Sequence, residues 1–224
     1  MDSSNVLGID LGTTAVKVSL INAISRELLG TWLSETRAAV NNDVVQSANE
    51  QNVSNILSAV DVCMSNISPG MLSKVTGIGI CGQMHGLVLW KKADIRKADE
   101  SYGYGLANQF SKISHLYTWQ DGRCSSDFLS SLPPPRSHLR MATGFGCATI
   151  FWLARHQPEL LEIYDCAGTV QDFLVTALCG LDKPVMSAQN AASWGYFDTM
   201  KNSWNTDMYV ILYFIDLRKC IQMS

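Results

Sequence analysis

Gly8-Ile9-Asp10-Leu11-Gly12-Thr13-Thr14 joins one strand pattern to another. Before it, residues 5–9 form a short apolar run. After it, residues 15–21 alternate, with Val16, Val18 and Leu20 set against Lys17 and Ser19, as a half-buried strand does. A third strand is expected over residues 28–34. A glycine turn between two strands is neither a Walker loop nor a dinucleotide loop, because both of those run from a strand into a helix. The G-K-[ST] and G-x-G-x-x-G strings do not occur in it either.

The residue types of this turn suit phosphate. Gly12 lets the backbone come close to oxygen atoms, and Thr13 and Thr14 add hydroxyls and amides. Asp10, at the strand end, is placed to hold a hydrated Mg²⁺ through water, and Lys17 projects from the second strand toward the same phosphates. An ordinary hairpin turn with threonines is the plainer reading of a bare D-x-G-T-T string. The strand on each side weighs for phosphate.

Farther along, residues 50–67 place Val53, Ile56, Leu57, Val60, Cys63, Met64 and Ile67 at helical spacing. Residues 75–80 read as a buried strand that delivers Gly82-Gln83-Met84-His85-Gly86 at its end, and residues 87–90 resume a strand, so a tight turn between strands is expected. An amide and an imidazole can each donate and accept, which suits hydroxyl recognition. His85 alone reads as an ordinary loop histidine, and no second ligand stands at metal spacing from it. Residues 91–114 are polar and aperiodic and read as a surface insertion. A short strand over residues 116–119 leads into Gln120-Asp121-Gly122-Arg123, and Pro133-Pro134-Pro135 marks a break. Residues 150–155, 159–164 and 171–178 read as helices, the last stopped by Gly180.

Composition narrows the function classes. With 47% hydrophobic and 17% charged residues, the 224-residue chain has globular values and enough length for a sizeable core. A net charge of −3 argues against a broad electrostatic grip on nucleic acid or an anionic membrane. Seven cysteines, an odd number with no C-x-x-C, favour reduced thiols and a cytoplasmic protein; Cys124 reads as a buried thiol rather than a nucleophile. The start of the chain carries no signal-peptide pattern, and its longest apolar stretch, residues 209–215, is too short to span a bilayer. That stretch is β-prone, free of proline and uncharged, the signature of an aggregation-prone segment.

The first string resembles the phosphate hairpin of the actin-like, ribonuclease-H-like ATPases, which sugar kinases and heat-shock chaperone ATPases share. Gly82-Gln83-Met84-His85-Gly86 separates these, because it resembles the substrate turn of the FGGY carbohydrate kinases, in particular their xylulose- and sedoheptulose-phosphorylating members. Thr118-Trp119-Gln120-Asp121-Gly122-Arg123, Thr143-Gly144, Trp152-Leu153, Gln171-Asp172-Phe173-Leu174 and the 187–195 segment Ser-Ala-Gln-Asn-Ala-Ala-Ser-Trp-Gly follow in the family's order, with variants most like the sedoheptulose branch.

The resemblance implies an α/β fold, an actin-like lobe with a mixed sheet flanked by helices, over residues 1–205. Residues 206–224 match nothing in the family. It implies ATP and Mg²⁺ as cofactors and a ketose as substrate, most closely sedoheptulose converted to its 7-phosphate. Asp10, Gly12, Thr13, Thr14 and Lys17 would face phosphate, with Asp10 toward the metal. Gln83, Met84, His85, Trp119 and Asp121 would face the sugar, while Arg123 would be an ion-pair partner. The family's G-D-x-x-A/S segment, which carries the general base, and its second lobe with the adenosine site have no match in these residues. The expectation is therefore a truncated kinase lobe, inactive as an isolated chain. The alternative is a non-catalytic sugar-binding or interaction module.

Overall fold

Period-two burial builds the first layer of the molecule. In the computed structural model, which describes residues 4–98, 105–205 and 222–223, strands β1 (Asn5–Leu11), β2 (Ala15–Asn22) and β3 (Leu28–Glu35) form an antiparallel meander. Leu7, Ile9 and Leu11 of β1 and Val16, Val18 and Leu20 of β2 all point to one face and are buried. The short strands β4 (Ala39–Val40) and β5 (Glu50–Gln51) follow, then helix α1 (Val53–Ser65), whose stripe of Val53, Ile56, Leu57, Val60 and Cys63 packs on that face. Glu50 and Gln51, which helical spacing would take into α1, pair as strand instead. Asn52 is the reason: its side chain accepts a hydrogen bond from the Asn55 amide and caps the helix there.

After the short helix α2 (Pro69–Leu72), strand β6 (Val75–Gly82) returns parallel to β1, giving a mixed four-stranded sheet in the order β3-β2-β1-β6. Its burial alternates, and Ile78 is 52% exposed, so the expectation of a fully buried strand does not hold. Among the described residues β6 is an edge, with a helical layer on only one of its faces.

Strand β7 (Val88–Trp90) does not fold back on β6. It pairs antiparallel with a later strand in a separate sheet, and it divides the interior by side-chain alternation. Val88 and Trp90 belong to the core under α1, whereas Leu87 and Leu89 belong to a second core. Helix α3 (Lys92–Ala98), strand β8 (Leu116–Tyr117), helices α4 (Ser126–Ser130), α5 (Gly146–His156) and α6 (Pro158–Leu161), strand β9 (Cys166–Gly168) and helix α7 (Val170–Leu178) come next. Then follow β10 (Val185–Met186), α8 (Ala188–Trp194), β11 (Phe197–Asp198), β12 (Ser203–Trp204) and β13 (Gln222–Met223). β9 is the partner of β7, and β8 extends the β4-β5 pair into a three-stranded sheet. Phe151, Leu153, Trp194, Tyr196 and Phe197 fill the second core.

Residues 91–114 are more than a surface insertion. Ile95 and Phe110 are buried in the first core, and Phe110 meets Phe173 edge-on at 5.0 Å. Asp94 holds the segment closed by accepting from the Ser111 hydroxyl and the Lys112 amide. No disulfide joins any two of the described cysteines. The apolar run over residues 209–215 lies outside the described residues. Gln222 and Met223 run parallel to Val185 and Met186, a pairing that the sequence reading did not anticipate.

Candidate functional site

Two turns meet at one end of the mixed sheet. β1 and β6 are parallel neighbours in a register that sets Leu11 beside Gly82, and the Gln83 amide donates to the Leu11 carbonyl at 3.0 Å. The turn over residues 12–14 and the turn over residues 82–86 therefore leave the sheet side by side. Both are tight. A Cβ at Gly12 would lie 2.7 Å from the Ala15 carbonyl oxygen, and one at Gly82 would lie 2.8 Å from the Leu11 side chain.

The first turn faces two spaces. Asp10 and Lys17 are exposed cross-strand neighbours on β1 and β2, and with Gly8, Ser19, Gly79 and Cys81 they line a hollow of about 410 Å³. Thr13 and Thr14 line a larger groove of about 900 Å³, together with Thr36, Glu50, Gln51 and Gln120. The carboxylate, the ammonium group and the hydroxyls thus surround one hairpin from both sides. Among the described residues no group of three or more His, Cys, Asp or Glu side chains can hold a metal ion. A single carboxylate with hydroxyls beside it is the donor set of an ion that keeps its waters and arrives with phosphates.

The second turn is locked by α8 and α5. His85 has φ of 68°, a left-handed conformation that a non-glycine residue adopts only when its surroundings impose it. Its Nδ1 lies 2.7 Å from the Ser193 carbonyl, and since that oxygen can only accept, Nδ1 carries the hydrogen. Nε2 of the neutral ring is then the acceptor. The ring lies flat on Phe145, with centroids 4.7 Å apart and planes within 2°. Beneath the turn, Trp194 Nε1 donates to the Gly86 carbonyl at 3.1 Å.

Helix α8 is itself anchored from α7. Thr169 and Asp172 form a capping box, and the buried Asp172 carboxylate also accepts from Asn190 at 3.2 Å. Burial pushes the Asp172 carboxyl up from its ordinary value, against the hydrogen bonds from Thr169 and Asn190. The chain of contacts thus runs from Thr169 through Asp172 and Asn190 to α8 and the tautomer of His85.

Trp119 and Asp121 divide the work on the neighbouring loop. Trp119 is 47% exposed, and its Nε1 points to the Thr13 hydroxyl at 3.3 Å, which brings its ring beside the first turn. Asp121 is fully buried and turned inward. One carboxylate oxygen accepts from the Arg123 amide and Nε, the other from the Asn49 amide and the Arg123 guanidinium. Arg123 also donates to Glu50 at 2.6 Å and lies over the rings of Tyr117 and Trp152. Of the residues expected to face the sugar, Gln83, Met84, His85 and Trp119 gather at the two turns, and Asp121 anchors the loop from below. Ser193 and Phe145, which orient His85, sit in segments whose sequence reads as scaffold. The 187–195 string marks Ser193, and the Thr143-Gly144 pair stands directly before Phe145.

Gln83 completes the geometry. Its Nε2 donates to Gln51 at 2.9 Å, and Gln51 Nε2 donates to the Thr13 carbonyl at 2.8 Å. Gln83 Oε1 is buried and has no hydrogen-bond partner among the described residues.

Residues 5–101 match the N-terminal domain of the FGGY family of carbohydrate kinases. The chain is 51% identical over 211 residues to the sedoheptulokinase of Homo sapiens, a match covering 90% of this chain and 44% of that protein. Among solved structures, the glycerol kinase of Plasmodium falciparum with ADP superimposes with a TM-score of 0.75 at 16% identity, over 99% of this chain and 43% of that one. A ligand-bound xylulose kinase from Lactobacillus acidophilus gives 0.72 at 18% identity, over 99% and 42%. These structures show the actin-like α/β fold. The chain spans less than half the length of the relatives that it matches.

Proposed function

We propose that this chain, which belongs to the FGGY family of carbohydrate kinases, forms the sugar-facing and phosphate-facing lobe for ATP-dependent phosphorylation of a ketose, sedoheptulose to sedoheptulose 7-phosphate. The observation that carries the reading is the meeting of two turns on adjacent strands, Leu11 beside Gly82, with an exposed tryptophan and an oriented histidine at their mouth. The choice of sedoheptulose rests on the similarity to sedoheptulokinase.

Each residue has a role that its geometry supports. His85 Nε2 accepts a hydrogen bond from a sugar hydroxyl, and Gln83 Oε1 offers a second acceptor. The face of Trp119 takes the apolar side of the polyol, and Met84 fills beside it. The backbone of Gly12 and the groups of Thr13 and Thr14 lie against the terminal phosphates of ATP, and Lys17 balances their charge. The hairpin fits that role, because the Gly12 backbone is packed too closely for any Cβ. Mg²⁺ brought with the nucleotide would draw charge off the transferring phosphoryl group, and Asp10 would hold it through water.

Calorimetry of the purified chain with sedoheptulose is the test. We expect binding that His85→Ala weakens by about tenfold, the loss of one ligand hydrogen bond together with the stacked ring. Wild-type-like binding by that variant would remove His85 from the site. The family's general base has no counterpart in the sequence of these 224 residues. Assayed alone, the 224-residue polypeptide is therefore expected to bind sugar with turnover far below the roughly 1–100 per second of ordinary kinases.

A further inference from the structure

The sugar turn and the phosphate hairpin are joined through a third element, β5. Gln51 is 6% exposed, and its amide stands between Thr13 and Gln83. Every proton in that chain is assigned by chemistry. The Thr13 carbonyl can only accept, so the Gln51 atom 2.8 Å from it is the NH₂ group. Gln51 Oε1 is then an acceptor, so the Gln83 atom 2.9 Å from it is again NH₂. That leaves Gln83 Oε1 as a bare acceptor in a residue only 8% exposed, a group for which the described residues supply no donor. A sugar hydroxyl is such a donor.

Gln51 is firmly held. It lies in the middle strand of β4-β5-β8, opposite Ala39 on one side and Leu116 on the other. Its neighbour Glu50 is bound by Arg123, His115 and Asn42. A second link joins the same two regions, from Trp119 Nε1 to the Thr13 hydroxyl. Thr13 is thus a hub: its carbonyl answers to the amide that orients Gln83, and its hydroxyl answers to the ring beside the sugar turn.

The geometry points to Gln51 as a positioning residue that couples the two sites, so that occupation of the phosphate hairpin sets the acceptor Gln83 Oε1 for a sugar hydroxyl, and the reverse. The inference rests on the functional reading above. A shift of Thr13 toward phosphate pulls its carbonyl relative to Gln51, and among the described residues the Gln51 amide leads on to Gln83. By linkage, each ligand then tightens the other by one common factor.

The test measures sedoheptulose affinity by calorimetry, with and without saturating Mg²⁺–tripolyphosphate as the probe of the hairpin. In the wild type we expect the probe to tighten sedoheptulose binding by roughly fivefold or more. Gln51→Leu, which removes both hydrogen bonds, should bring that factor to about one while both ligands still bind. Gln51→Glu keeps an acceptor for Gln83 but sets an oxygen against the Thr13 carbonyl. It should lose the coupling too, with sedoheptulose affinity nearer the wild-type value. If Gln51→Leu does not fold, Gln51→Glu decides. Wild-type coupling in the variant that folds overturns the inference, and so does a wild type that binds both ligands independently. A wild type that binds no sedoheptulose overturns the functional reading, and the inference with it.

Discussion

Replacing Arg123 by methionine should destabilise the lobe strongly at neutral pH and much less in acid. The Arg123 side chain is 2% exposed and lies between two carboxylates, Asp121 at 0% and Glu50 at 8%. It donates twice to Asp121, at 2.8 and 2.9 Å, and once to Glu50, at 2.6 Å. Methionine would fill most of the space between Tyr117 and Trp152 but leave two buried carboxylates facing each other. Removing one partner of a buried ion pair costs about 3–5 kcal/mol. For a chain of this size each kcal/mol is roughly 2–4 °C, so the melting temperature should fall by on the order of 10 °C.

The pH dependence follows from Glu50. Burial by itself raises its carboxyl, but the hydrogen bonds from Arg123 and His115 and the Arg123 charge outweigh that and hold it below its ordinary value of 4.5. In the wild type, the stability this supplies is present above the unfolded value and is lost as pH falls through the lower folded value. Without Arg123, burial is opposed by the hydrogen bonds from His115 and Asn42, and the folded value is expected to rise above the unfolded one. The variant then carries a penalty at neutral pH that fades as the carboxyl takes up its proton. Scanning calorimetry from about pH 7.5 down to about pH 5 should show the gap between the two proteins narrowing. A variant that melts within about 2 °C of the wild type, less than 1 kcal/mol, would refute the reasoning. So would a gap that widens on acidification.

Gly144 has φ of 77°, and a Cβ there would collide with the Trp119 carbonyl oxygen, so Gly144→Ala should cost more than about 1 kcal/mol and displace Trp119. Denaturant titration and the wavelength of tryptophan emission would register this, and an unchanged midpoint would exclude it. Burial pushes the Cys124 thiol up to about 12 and raises Cys63 and Cys147 as well; Cys81, itself raised by partial burial and by Asp10, and Cys179 are exposed to reagent. Iodoacetamide at mildly alkaline pH should therefore label Cys81 and Cys179 in the native chain, and Cys63, Cys124 and Cys147 only after unfolding, as peptide mass spectrometry would show. Thr169→Ala removes the cap of α7 and the hydroxyl donor to buried Asp172, and should lower stability by about 1–2 kcal/mol in chemical denaturation. Loss of less than about 0.5 kcal/mol would mean that water or another donor replaces Thr169.

The hairpin was legible in the residues themselves. Alternation of Val16, Val18 and Leu20, a turn of Gly12, Thr13 and Thr14, and a helical stripe from Val53 to Cys63 are local patterns, and local patterns follow from backbone geometry and side-chain spacing. The residue types of both turns also suggested the roles proposed for them. The wiring between the turns was not legible. His85 and Ser193 are 108 residues apart, Gln51 and Gln83 32, Thr13 and Trp119 106, and no periodicity relates such pairs. Only packing brings them within hydrogen-bond reach. Packing also buried Asp121, whose sequence neighbours suggest a ligand-facing loop, because Arg123 and the Asn49 amide occupy both of its oxygens. Glu50 and Gln51 went to a strand rather than to α1 because Asn52 caps the helix and because β4 and β8 supply partners from distant parts of the chain. Composition could name a strand, a turn or a helix. Which carbonyl faces which ring nitrogen, and therefore which ring atom is left without that contact, was settled by packing that exists only once the two cores have closed around β7.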